Sequence, residues 1–554
     1  MKKIIIDPVT KIEGHLRVEV EVDDNNIVKE AYVSGQLFRG IEIILKDRDP
    51  RDAGLLAGRI CGVCTNSHFR GAIGAVEDAY GLSVPKNAEI IRDLISASLF
   101  IQDHVVHFYH LHLLDFVDVV NSLEADIDST MLEAKKYSDS PFKNSAEYYI
   151  KVKQKLQKFI DSGKLGPFSN GYWGHSEYKL TPEQNLILIS HYLEALQFQV
   201  NISKAIAIFG GKTPHPQTYV VGGVTSVADM LNPSRLNEFI FIIKESKEFI
   251  DRAYLADMKL LSIAYRDDLK NGVGRANGNF LSVGGYSLTK NNKEYKLFES
   301  GTIFEHNLEK VDIFDPNKIV EKVDRSWYSE DNPEEPYYTD LNDDGSLKTT
   351  KNDKYSWVKS PRYDDQTMET GPLARLFVSY LKNNELIKPF VNQFLADTDL
   401  ELIDLSSTIG RNCARAIETA YICEYIFSLV NRLSQNIKYY DHDTWSKYDF
   451  QTLPTKTNGN IFLEVPRGVL SHFINIDNQK IKNYSVIAPT TWNATPKSYD
   501  NKRGAYEEAL VGIKICDTSK PLEVLRVIHS FDPCLACAVH VIDGKKGDLK
   551  KFKI

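Results

Sequence analysis

The stretch NAEIIRDLISASLFIQDHVVHFYHLHLLDFVDVV, Asn87 to Val120, decides the class of fold. Within it Ile91, Leu94, Ile95, Leu99 and Phe100 recur at threes and fours, the period of one face of an α-helix. Its length and apolar content predict a deeply buried helix or a kinked pair. Working outward, helical patterns are also expected over Ser145 to Ile160, Pro182 to Ala207, Pro233 to Ala264, Gly371 to Leu381 and Ala414 to Leu433, which makes the centre a helix bundle. The N-terminus, about residues 1–35, reads as strands instead. Ile4 to Ile6 is apolar, Leu16 to Val22 alternates apolar and charged side chains, and Asp23-Asp24-Asn25-Asn26 supplies a turn before Ile27 to Val33. A polar stretch at about 324–353 carries scattered aromatics and is expected to be an irregular surface insertion. The predicted class is α+β, predominantly α-helical, with a central helix bundle and small peripheral β-sheets.

At 554 residues the chain can bury a large core and, on size alone, more than one compact unit. Its 67 Lys and Arg stand against 75 Asp and Glu, a net charge of -8, and no basic run follows a phosphate backbone, so nucleic acid is not an expected partner. No apolar stretch approaches the roughly 20 residues of a spanning helix. Met1 to Asp7 lacks the long apolar segment of a signal peptide, so no export address is expected in the chain itself. Seven cysteines are too few for a disulfide scaffold of this size. Cys413, Cys423 and Cys516 stand alone among apolar or mixed neighbours and are expected only to pack.

The other four form two CxxC pairs near opposite ends: Arg59-Ile60-Cys61-Gly62-Val63-Cys64, followed by His68, and Asp532-Pro533-Cys534-Leu535-Ala536-Cys537, followed by His540. Thiolates match soft cations, and a two-residue spacer lets one turn present both sulfurs to one point. A structural zinc site, a redox or catalytic metal and a thioredoxin-like dithiol all fit that spacing. Structural zinc usually staples a short loop, whereas here almost the whole chain lies between the pairs. The remoteness of the pairs, and the lack of a redox-helix pattern after them, also count against the dithiol.

The strings RICGVC with His68, and DPCLACAVH, together resemble the signature motifs of the large subunit of nickel-iron hydrogenases. The resemblance continues through DPVTKIEGHLR at Asp7 to Arg17, FRGIE at Phe38 to Glu42, HFYHLHLLDFVD at His107 to Asp118, GGKTPHPQTYVVGGVT at Gly210 to Thr225, SWVKSPRY at Ser356 to Tyr363, EVPRG at Glu464 to Gly468 and APTTWN at Ala488 to Asn493. It implies the fold of that family over residues 1–540 and reversible heterolytic oxidation of dihydrogen. It also implies a nickel bound by Cys61, Cys64, Cys534 and Cys537, with Cys64 and Cys537 bridging to an iron that carries one carbon monoxide and two cyanides. Arg467 corresponds to an arginine held above the metals near Asp103 and Asp532. A guanidinium is too weak an acid to serve readily as a base, so positioning and electrostatics are the expected role. Pro489 and Thr490 correspond to the positions that receive the cyanides, and Glu13 to the glutamate that takes a proton from the terminal Cys534. Glu42, a backbone carbonyl near Val486 and His540 correspond to magnesium ligands. His68 corresponds to a histidine beside a bridging cysteine. His215 matches a position of structural or proton-path use. His104, His107, His110 and His112 are expected to pack and hydrogen-bond rather than to bind metal.

Residues 541–554 resemble a C-terminal extension that a maturation endopeptidase removes after His540, with nickel chaperones as further transient partners. No further cysteine cluster is left for iron-sulfur centres, so electrons need a small subunit that carries them. The motif variants resemble respiratory uptake enzymes. These imply a membrane cytochrome b as a further partner and a membrane-associated position on the periplasmic side, reached by export with the small subunit; a cytoplasmic position is the alternative. A hydrogen-sensing regulatory subunit is a second reading, and a metal-free quinone-coupling relative a third, against which all four cysteines count. Phe69, Arg70, Gly71 and Ala72 after His68, and Cys413, depart from common family residues without touching a metal ligand.

Overall fold

The computed structural model describes residues 1–538 except 139, 141–142, 164–167, 169–171, 291–292, 330–341, 343–347 and 350–352. His540, the 541–554 extension and much of the 324–353 insertion lie outside the described residues. The N-terminal strands β1 (Lys2–Ile6), β2 (Leu16–Val22) and β3 (Val28–Gly35) form an antiparallel sheet in that order. In β2 the period of two is plain: Leu16, Val18, Val20 and Val22 are buried while Arg17, Glu19 and Glu21 between them are half-exposed.

The bundle is built from α1 (Thr65–Tyr80), α2 (Lys86–Val106), α3 (Pro182–Gly210), α4 (Pro233–Phe249), α5 (Leu255–Ala264), α6 (Pro372–Leu381) and α7 (Thr408–Lys438). α2 lies between α3 and α7 and is buried on nearly every side, as its apolar content predicts. Local chemistry sets the ends: Thr181 and Gln184 form a reciprocal capping box with Pro182 at the first position of α3, and the Ser407 side chain accepts the Gly410 N–H to start α7. The expected kink after α2 is a wide π-turn, His107–His112, and Pro233 to Ala264 is likewise broken by one at Ile250–Tyr254. The two irregular turns meet, with Phe108 stacked on Tyr254 at 5.3 Å and the Tyr254 hydroxyl donating to the His104 carbonyl.

Two further three-stranded sheets flank the bundle. β4 (Phe280–Lys290) and β5 (Lys293–Ile303) form a hairpin joined in parallel by β6 (Glu369–Thr370); β7 (Lys456–Val465), β8 (Gly468–Asp477) and β9 (Lys480–Ile487) form an antiparallel meander. α1 lies across β7 and β8. The C-terminal part contains α8 (Pro489–Asn493), α9 (Ala505–Leu510), α10 (Leu522–Ser530) and α11 (Leu535–Ala538). It returns to the start of the chain. Backbone bonds join Val28 to Ile513 and Gly512 to Val28, and Val18, Val20, Leu510, Ile528 and Leu535 share one apolar cluster.

Glu507 on α9 is fully buried under this sheet, where its Oε1 accepts the Val33 N–H at 3.0 Å and the Tyr355 hydroxyl at 2.7 Å. Burial pushes its carboxyl from 4.5 up to about 7, and the two donors offset only part of that. The folded protein thus binds this proton more tightly than the unfolded chain, and stability falls as pH rises from 4.5 through 7. Glu507→Gln is expected to raise the melting temperature relative to the parent at pH 8 but not at pH 5. Calorimetry at both pH values checks this, and an equal difference at the two would remove Glu507 from the pH dependence.

Candidate metal centre

The loop after β1 and the segment before α11 bond as a short parallel pair: the Glu13 N–H donates to the Pro533 carbonyl at 3.2 Å and the Leu535 N–H to the Glu13 carbonyl at 2.9 Å. Glu13 is thereby seated on the second CxxC motif. Gly14 permits the approach: at φ +87° it occupies the left-handed region, and an added Cβ would stand 2.7 Å from the Leu535 Cβ.

The first motif leads into α1, with Cys64 at its cap position, and the second motif crosses into α11. Cys61, Cys64, Cys534 and Cys537 are all buried and all unpaired as disulfides. Their four sulfurs lie within 4.8 Å of one another; Cys61 to Cys534 is 3.3 Å, Cys534 to Cys537 2.9 Å and Cys64 to Cys537 2.7 Å. The N–H groups of Val63 and Cys64 point at the Cys61 sulfur at 3.2 and 3.3 Å. Hydrogen bonds from Cys534, Cys537 and Cys64 hold the Cys61 thiol well below its ordinary range, whereas burial pushes Cys534 and Cys537 up. Four sulfurs converging in a dry site fit a soft transition-metal ion, which would make all four thiolates.

Around the cage stand the other residues expected from sequence. The Glu13 Oε2 lies 3.3 Å from the Cys534 sulfur and accepts the Ala536 N–H at 2.9 Å. Burial, with the Cys61 charge, raises its carboxyl above the ordinary value. Arg467, in the turn between β7 and β8, donates through Nη1 to Asp103 and through Nη2 to Asp532, each at 3.0 Å, and through Nε to the Asp532 carbonyl at 3.1 Å. Burial disfavours its charge, but the two aspartates outweigh that and hold it protonated. Asp103 is pushed up to about 7, chiefly by burial, with Arg467 opposing and Asp532 adding to the rise. Asp532 takes φ +56°, a left-handed conformation that aspartate tolerates better than most residues.

A small cavity beside the cage is lined by Cys64, His68, Arg467, Pro489, Thr490 and Cys537. Thr490 at the start of α8 accepts the Cys534 N–H at 3.1 Å, which leaves its own hydroxyl proton to donate elsewhere. His68 on α1 contacts His472 on β8, Nδ1 to Nε2, at 3.2 Å, and the His472 Nδ1 contacts the Tyr484 hydroxyl at 2.5 Å. An added Cβ at Gly71 would lie 2.6 Å from the His472 ring. Sequence reading missed His472 and Tyr484; no spacing signal marks them, since each is one residue in a buried strand. Glu42 is buried and accepts the Val486 N–H at 2.9 Å, with Lys359 3.8 Å away.

His104, His107 and His112 meet Glu418, the His529 carbonyl and Asn412, the packing role expected of them. Cys413 and Cys423 are buried as expected, but Cys516 is exposed, because it sits on a turn rather than on an apolar face.

The nickel-dependent hydrogenase family matches residues 39–540, and a family described as HoxL-like matches residues 3–34. This chain belongs to the nickel-dependent hydrogenases. The quinone-reactive Ni/Fe-hydrogenase large chain of Wolinella succinogenes is 43% identical over 570 residues, covering 100% of this chain and 98% of its own. The uptake hydrogenase large subunit of Rhizobium leguminosarum bv. viciae is 43% identical over 583 residues, covering 100% and 97%. Among solved structures, the Ni-Fe-Se hydrogenase from Desulfovibrio vulgaris Hildenborough in its reduced state is 33% identical with a TM-score of 0.78, covering 97% of this chain and 100% of its own. The fold is thus the hydrogenase large-subunit fold, and the protein is a hydrogenase catalytic subunit; relatives with these names do not favour the sensing alternative. The cage fits the nickel-iron centre that the family implies.

Gly14→Val is expected to force Glu13 off the second motif and lower nickel incorporation at least about fivefold. Nickel per large subunit, measured by mass spectrometry of purified protein, checks this, and full occupancy would show that the clamp is dispensable.

Proposed function

We propose that Cys61 and Cys534 bind nickel terminally while Cys64 and Cys537 bridge it to an iron carrying one carbon monoxide and two cyanides. The convergence of four free cysteines from both ends of the chain into one buried cage carries this reading. When bound, such a centre supplies the site at which dihydrogen is split heterolytically and its electrons are collected. The side chains around it do the rest. Glu13 receives the proton from the Cys534 side, which its 3.3 Å contact supports. Arg467 holds a fixed positive charge at the mouth of the cavity, and its fork keeps Asp103 and Asp532 from drifting apart. The Thr490 hydroxyl donates to a cyanide, an acceptor that needs a partner in an apolar pocket, and Pro489, which has no N–H to give, lines the cyanide site beside it. His68 tunes the bridging Cys64.

Glu42, the Val486 carbonyl and His540 hold a magnesium ion in this reading. The Glu42 contact with Val486 brings two of the three together. Residues 1–540 form the mature catalytic unit, with 541–554 removed by an endopeptidase after nickel has been delivered by chaperones. Electrons leave through a small subunit with iron-sulfur clusters, since the three remaining cysteines are scattered. The quinone-reactive and uptake names of the relatives support oxidation in the uptake direction with electrons passed towards quinone; a membrane cytochrome b and a membrane-associated place on the periplasmic side complete the reading. Among the described residues no helix is long and apolar enough to cross a membrane, so attachment would come through partners.

Infrared spectroscopy of the purified complex, with metal analysis, tests the centre: bands of bound carbon monoxide and cyanide and one nickel per complex are expected, and zinc alone would overturn it. Glu13→Gln is expected to keep the metals and the infrared bands while slowing hydrogen-deuterium exchange at least about 100-fold. Exchange at the parent rate would take Glu13 out of the proton route.

A further inference from the structure

Away from the metal centre, Glu177, Cys516 and Glu523 bring a thiol and two carboxylates together, one donor atom from each lying within 4.8 Å of the others. They come from three separate segments. Glu177 lies in the loop before α3, Cys516 in the turn after the backbone run that pairs with β3, and Glu523 in the first turn of α10. Together with Asp268 and Arg526 they line an open cavity, so solvent reaches the cluster.

The segments are held in place by bonds of two kinds, those of the Glu177 backbone and those within the cluster itself. The Glu177 N–H donates to His175 Nδ1 at 3.2 Å, and its carbonyl accepts from the Tyr265 hydroxyl at 3.2 Å and from Arg526 Nη2 at 3.0 Å. The Cys516 N–H donates to Glu523 Oε1 at 2.8 Å, and the Cys516 thiol to Glu177 Oε1 at 3.1 Å. One oxygen is left over. Glu523 is only 8% exposed, and its Oε2 is buried without a hydrogen-bond partner among the described residues. A carboxylate oxygen in that position costs free energy unless a donor or a cation meets it. Burial and the two neighbouring carboxylates also push the Cys516 thiol up to about 12, a clustering of negative groups that a cation would relieve.

We propose that Glu177, Cys516 and Glu523 form a second metal site, for a borderline-soft divalent cation of the zinc class. One sulfur and two oxygens suit such an ion, whereas calcium and magnesium prefer oxygen alone. The exposed side of Cys516 leaves room for a water as fourth ligand. Binding exchanges the thiol proton, released to solvent, for a sulfur–metal bond, with no change of oxidation state. The ion would tie the first turn of α10 to the loop of Glu177, and α10 runs directly to Asp532 and Cys534. The site is therefore a brace for the helix that delivers the second CxxC motif.

The test uses the purified, nickel-loaded complex, freed of loosely bound ions by chelator and dialysed against about 1 µM free zinc. Wild type is expected to take up one zinc per complex more than Cys516→Ser, and Glu177→Gln to weaken that uptake at least about tenfold, with nickel and iron unchanged in both. Zinc is also expected to slow iodoacetamide alkylation of Cys516 in the unmodified protein at least about tenfold, read by peptide mass spectrometry, so the proposal stands independently of whether a variant folds. Equal zinc uptake by wild type and Cys516→Ser, or an alkylation rate that zinc does not change, would overturn it.

Discussion

A single closure of the chain governs the molecule: the backbone of Glu13 pairs with that of Pro533 and Leu535, so the opening of a long polypeptide and its second CxxC motif form one wall. Nothing local could bring the two CxxC motifs together. The closure costs loop entropy, which grows only slowly with length, and it is offset by the apolar cluster where Val18, Val20, Leu510, Ile528 and Leu535 meet, each side chain contributing roughly 1–3 kcal/mol on burial. Because Glu13 itself makes the pairing, the residue that clamps the wall and the carboxylate facing the Cys534 sulfur are one and the same. Position and chemistry cannot drift apart.

Charge in the dry interior obeys a second constraint. α2 places Asp103 against Arg467 and the next residue, His104, against Glu418, since successive residues on a helix point about 100° apart. Glu418 in turn shares Arg375 with Glu464, every member of that group being fully buried. Each arginine thus sits between two carboxylates, the arrangement that its planar fork serves and a lysine would not. Removing one partner from such a group leaves an uncompensated buried charge, which is far more costly than the pair is stabilising. α2 is accordingly regular and buried through His104 and becomes irregular only beyond it, where the π-turn begins.

Much of this was legible in the residues. The CxxC pairs announce a metal because sulfur chemistry depends on side chains alone, and the apolar period of Asn87 to Val120 announces a buried helix because nearly every position is covered. The N-terminal strands follow their alternation to within a residue or two. Other parts were not legible. The meander of β7 to β9 carries His472 and Tyr484 on strands buried on both faces, so no alternation marks them out. The π-turns stand where Phe108 packs on Tyr254, partners far apart in sequence. Cys516 read as a packing residue because its neighbours alone cannot reveal that Glu177 approaches from another segment.

His68 shows how far such distant contacts reach into the site. Its ring meets His472 across 3.2 Å, and two ring nitrogens at that distance can share only one proton between them. The tautomer of one ring therefore dictates that of the other. Burial keeps the Tyr484 phenol in its neutral form, so it has a proton to give to His472 Nδ1. When the hydroxyl donates there, His472 is left to donate from Nε2 to His68 Nδ1, and the proton of His68 then stands on Nε2. Glu42 raises the Tyr484 pKa further, so the carboxylate expected to hold magnesium and the histidine beside Cys64 are joined through one strand pair. Gly71 on α1 is small because His472 must reach His68 past it. The departure from common family residues after His68 thus includes a position where an added side chain would meet the His472 ring.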